Sequence, residues 1–137
     1  MKNILFVSLI LGMTGCAIKP ISNDQAKNIP LDRILDNSFF TKNLEKVPVV
    51  IKRDQGHVGS ICTTQVLIDG HPIANLKMSE KIEIYLSAEQ HIISSVPKGI
   101  CGGGIAELQI DLSSKKPTIF RIGFDANATH RIQPTVF

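Results

Sequence analysis

The residues able to do chemistry are few and scattered along the chain. A nucleophilic triad needs a serine backed by a histidine and an acid. Ser60, with His57 and Asp54 in the same short stretch, offers all three locally. Three polar residues in one loop arise readily by composition, so no catalytic residue is assigned and a Ser60/His57 hydrolase is kept as the weakest reading. The other histidines, His71, His91 and His130, stand singly in loops or at strand ends. Glu80, Glu83, Glu89 and Glu107 give no glycosidase-like pair. Asp125 and Asn127 begin a calcium-type spacing whose remaining oxygen ligands are missing. Zinc would want further ligands close to a cysteine, and the histidines are not close. No metal and no cofactor are expected.

One cysteine has a different setting. Lys2 is followed by Ile4-Leu5-Phe6-Val7-Ser8-Leu9-Ile10-Leu11, and no acidic residue occurs before Asp24. Charge followed by a short apolar run is the layout of a secretory signal, too short to span a bilayer as a stable helix. The run closes on Leu11-Gly12-Met13-Thr14-Gly15-Cys16. This stretch resembles the bacterial lipoprotein signal, whose lipobox reads aliphatic, small, Gly/Ala, Cys. Thr14, Gly15 and Cys16 match it, with Met13 where leucine is usual. The resemblance implies that Cys16 is diacylated on sulfur, becomes the mature N-terminus and is then N-acylated. Such chains hold firmly, since each buried methylene contributes about 0.8 kcal/mol. Asp after the lipidated cysteine favours inner-membrane retention in such lipoproteins, so Ala17 implies the periplasmic side of the outer membrane. The alternative is an ordinary secretory signal that Cys16 merely follows.

With Cys16 assigned to lipid, Cys62 and Cys101 remain as an even pair in an oxidising compartment. A disulfide between them would close a loop of about 40 residues and restrict the unfolded chain by roughly 4 kcal/mol. Two buried thiols or a metal pair are the alternatives. Gly102-Gly103-Gly104 could aim main-chain N–H groups at an anion, but the lysine and following helix of a phosphate loop are absent. The simpler reading is a side-chain-free backbone that lets Cys101 reach Cys62.

The chain of 137 residues has room for one domain and a tether. Loss of Lys2 with the signal takes the formal charge from +3 to +2. That mild surplus is no footprint for nucleic acid, and Lys115-Lys116 reads as a solvated turn. Tryptophan is absent, which argues against an aromatic sugar-binding platform.

The elements read as follows. Residues 1–15 are the signal, and 16–46 the lipidated N-terminus, tether and docking arm. Ala17 to about Asn28 is polar without periodicity, a flexible tether. Ile29 to Phe40 holds a possible short helical turn, and Phe39 and Phe40 either pack on the domain edge or dock on a partner. Residues 47–137 are the β domain. Val47 to Arg53 is a β-branched strand with Pro48 at its start. Asp54 to Ser60 is a glycine-containing loop suited to partner contact through Asp54, His57 and Ser60. Asp69-Gly70 is a two-residue hairpin turn, and Pro72 marks the return strand as an edge. Ile82, Ile84 and Leu86 alternate with polar residues, as do Ala106 to Leu112 and Phe120, Ile122 and Phe124. Pro97-Lys98-Gly99 is read as a turn. About seven strands with frequent turns specify an all-β, antiparallel β-sandwich.

The Gln65–Gly70 hairpin, the Ile82–Leu86 strand, the Ser87–Gln90 turn and His91-Ile92 resemble PEGA-type and related domains of unknown function, many of them in bacterial lipoproteins. Ser87-Ala88-Glu89 stands where Pro-Gly-Glu is usual. The resemblance implies a fold and no catalytic residues. The expectation is a non-enzymatic, outer-membrane-anchored lipoprotein that binds or supports another envelope component, with the membrane and an envelope protein as partners and no nucleic acid. A structural subunit of a secretion-type envelope complex is the rival, with the Ile29–Phe40 arm threading between neighbours.

Overall fold

Alternating apolar and polar residues make several of the strands, and burial follows that alternation along 82–86 and 119–124, whereas 51–53 and 93–95 are buried on both faces. The chain is seen in a computed structural model that describes residues 19–56, 58–114 and 118–137. Cys16, His57 and Lys115-Lys116 lie outside the described residues. The strands are β1 (Lys27–Asn28), β2 (Val47–Arg53), β3 (Thr63–Ile68), β4 (His71–Leu76), β5 (Glu80–Leu86), β6 (Gln90–Lys98), β7 (Ala106–Asp111), β8 (Ile119–Phe124) and β9 (His130–Pro134). They form two sheets, ordered β1-β5-β2-β8-β9 and β4-β3-β6-β7. Val49 and Ile51 of β2, Ile82 and Ile84 of β5 and Ile122 of β8 meet Val66, Ile68, Ile73 and Ile93 of the second sheet, all essentially inaccessible to water. Each such side chain contributes about 1.5–3 kcal/mol on burial.

The Asp69-Gly70 turn has φ of +50° and +80°, as a type I′ hairpin requires. Pro72 lies on β4, an edge strand, opposite a bulge at Val66/Leu67. Pro48 sits where β2 is paired on one side only, because β8 joins from Val50 onward.

Four readings are corrected. Nine strands are present among the described residues rather than about seven. The five-stranded sheet is mixed, since β1 runs parallel to β5 and β2 parallel to β8. Between β2 and β8 the chain runs through all four strands of the other sheet and returns once as β5, a path that no local pattern reveals. Pro97 and Lys98 belong to β6, facing Thr64 and Thr63; β7 pairs only with residues 90–95, so Pro97 disturbs one ladder at most. Residues 19–28 are not a free tether. Lys19 and Gln55 exchange two main-chain hydrogen bonds of 3.1 and 3.0 Å, and Ile21 and Ala26 are buried. Main-chain groups do most of this docking, so the polar composition hid it.

Candidate functional site

Register brings one end of the sandwich together around the disulfide. The end of β2, the start of β3 and the end of β6 lie side by side there, since Thr63 faces Lys98. Cys62 and Cys101 are bonded with Cα atoms 6.0 Å apart. Arg53 follows Val49 and Ile51 on the inward face of β2, where no water can solvate it. Its guanidinium donates instead to the carbonyls of Cys62, Gly59 and Leu76. Gly59 has φ of +72°, and a Cβ there would lie 2.6 Å from the Phe124 ring. Phe124 stacks on His130 at 4.8 Å, and His130 Nε2 lies 3.3 Å from Ser95 Oγ. Burial, aided by the Arg53 charge, pushes His130 down to about 4, so it is neutral at neutral pH. Around this packed interior the loops present Ile61, Ile100 and Ile105, 77%, 86% and 55% exposed.

Of the residues expected to contact a partner, the described ones, Asp54, Ser60, Phe39 and Phe40, do not assemble into one surface. Asp54 is buried: its Oδ1 accepts from Ile21 N at 3.4 Å and its Oδ2 lies 3.3 Å from Arg121 Nε. Burial pushes the carboxyl upward, against the pull of Arg121 and the Ile21 N–H. Asp54 is therefore not displayed at the surface, because the incoming N-terminal segment lies over it. Ser60 is half-buried, and Gly123 leaves the space that Asp54 occupies, with a Cβ there 3.1 Å from Oδ2. Phe39 and Phe40 pack against the core from the arm, Phe39 stacking 5.9 Å from His71. Arg33 Nη1 donates to Glu80 Oε2 at 2.6 Å, and Leu35 N donates to Ile73 O at 2.8 Å, tying the arm to the sandwich.

A serine–histidine–aspartate constellation stands at the opposite end, unforeseen from sequence. His91 Nδ1 is 2.7 Å from Asp69 Oδ2, and its Nε2 is 3.2 Å from Ser87 Oγ. The same Nε2 is 3.1 Å from the Ser87 carbonyl, and Ser87 Oγ donates to Glu89. The Ser87 hydroxyl hydrogen is turned to Glu89, away from the imidazole, so the serine is not set up as a histidine-activated nucleophile. Asp69 also accepts from Ile92 N at 2.8 Å and donates its own N–H to Ile92 O at 2.9 Å. Partial burial alone would raise the Asp69 carboxyl; the His91 and Ile92 hydrogen bonds more than offset this and hold it below its ordinary value. This is a clip joining two turns. The β3/β6 register that places Asp69 beside Ile92 was the missing signal, although Asp69 and His91 were each visible at turn positions.

Two further concavities are open. A groove of about 410 Å³ follows the β7 edge, lined by Leu108, Ile110, Leu112, Phe120 and Pro134 among others. A pocket of about 250 Å³ lies between Asp54, Arg121, Asp125, Arg131 and Gln133. Among the described residues no group of three or more His, Cys, Asp or Glu side chains is arranged to hold a metal ion. No protein-family model, no curated protein and no solved structure matches this chain.

Proposed function

We propose that this chain is a non-enzymatic lipoprotein, cleaved and acylated at Cys16, anchored on the periplasmic side of the outer membrane, where its β domain binds or supports another envelope component. The observation that carries the reading is the use of the cysteines. Cys62 and Cys101 are bonded to each other, which suits an oxidising compartment, and Cys16 is the third cysteine of the sequence, placed directly after its apolar run. The disulfide supports export, and the lipobox resemblance supports acylation. The groove along β7 supplies apolar surface for a partner.

The envelope-subunit reading needs an arm free to thread between neighbours. The Arg33–Glu80 pair and the packing of Phe39 and Phe40 weigh against that freedom. The hydrolase reading is weakened by the diversion of Asp54 to Ile21 and Arg121. Mass spectrometry of the native protein tests the leading proposal: the N-terminal peptide should begin at Cys16 and carry three acyl chains, and Cys16→Ser should leave the membrane fraction. An unmodified Cys16 thiol overturns it.

A further inference from the structure

We infer that the disulfide end of the sandwich rests in the membrane surface, with Ile61, Ile100 and Ile105 entering the boundary between headgroups and acyl chains. The inference rests on the acylation of Cys16 proposed above and adds an orientation to it.

Chain length gives the first argument. Lys19 is already fixed to Gln55 by two main-chain hydrogen bonds. Three peptide steps separate Lys19 from Cys16, and a fully extended chain covers at most about 11 Å in that distance. A lipid on Cys16 therefore holds Gln55, at the end of β2, close to the bilayer. The opposite end, at the Asp69 and Ser87 turns, lies a strand length away.

Surface chemistry gives the second. Ile61 precedes Cys62, Ile100 precedes Cys101, and Ile105 closes the Gly102–Gly104 loop, so the cystine gathers all three at this end. They are 77%, 86% and 55% exposed. Neither the disulfide nor the turns demand isoleucine at these positions, and polar residues would serve the loops better in water. Lys19, Lys77 and Lys98 are exposed around the same end, and apolar residues ringed by cations fit a surface of phosphate headgroups. Leu44, exposed on the arm just before β2, lies towards the opposite end, since Val47 faces Leu86.

The absence of tryptophan allows a clean test. The full lipidated chain carrying Ile100→Trp, Ile105→Trp or Leu44→Trp is reconstituted into vesicles of phosphatidylethanolamine and phosphatidylglycerol with brominated acyl chains. Intact mass of each preparation reads Cys16 acylation. With acylation present, quenching of Ile100→Trp and Ile105→Trp at least twofold greater than of Leu44→Trp supports the inference. Equal quenching at the three positions, or none, overturns the orientation and leaves the lipoprotein reading standing. A blue-shifted emission at positions 100 and 105 without bromine quenching means that a second copy or another protein covers them, and also overturns it. An unacylated Cys16 overturns both readings together.

Discussion

Gly59 and His130 show how single residues are held at the disulfide end. Gly59→Ala meets two obstacles, a positive φ and the Phe124 ring. It should destabilise the fold by about 2–3 kcal/mol, read as a lowered urea midpoint. His130 gives a pH signature. Its folded pKa, about 4, lies below the ordinary 6.5, so burial favours the neutral form. The stability linked to that neutrality is complete above pH 6.5 and is lost as pH falls towards about 4. The expected loss is on the order of 2–3 kcal/mol, and His130→Gln should flatten the slope in that window. Asp54 contributes with the opposite sign: its raised carboxyl pKa means that protonation relieves a folded-state cost as pH falls. Asp54→Asn in the same titration separates the two. Asp54 also shows what composition hides. It reads as a loop acid suited to display, and only the return of Ile21 over it reveals that it is covered.

At the scale of elements, the disulfide and the hairpins do the organising. Cys62→Ser with Cys101→Ser should cost about 2–4 kcal/mol in thermal or urea unfolding, and a reductant should reproduce that loss in the parent protein. Local chemistry made much of this level legible. Asp69-Gly70 announced its turn, Ile82, Ile84 and Leu86 announced their inward face, and Pro72 its edge. Strand direction was another matter. Lys27-Asn28 is exposed at both positions and carries no alternation, and its pairing with β5 depends on main-chain groups alone. The parallel pairing of β2 and β8 joins segments separated by the whole second sheet. The Asp69–His91–Ser87 clip went unseen for the same reason, because it depends on the register between β3 and β6. Long-range register is set by the packing of all the strands together and has no local signature.

In the whole molecule, the outer face of the five-stranded sheet is closed by the two described ends of the chain. Ile21 lies over the Asp54 side of that face, Lys81 Nζ donates to Asn23 O at 2.7 Å, and Lys52 donates to the Phe137 carbonyl beneath the Phe137 ring. Lys52 is fully buried as a result, and burial lowers its pKa. Ile21→Ala should cost about 2–4 kcal/mol, more than an exposed polar segment would allow, and hydrogen exchange should show Gln55 N–H losing protection with it. An intact Gln55 N–H in that variant would show the segment to be dispensable. Suppose now that Cys16 is held while the body is tugged away. The Lys19–Gln55 hydrogen bonds and the seat of Ile21 are loaded in series and give way one after another, whereas the cystine-closed body shares any load across many ladders. Residues 19–26 would run out by roughly 25 Å before the body yielded, a built-in shock absorber between a fixed lipid and whatever the domain grips.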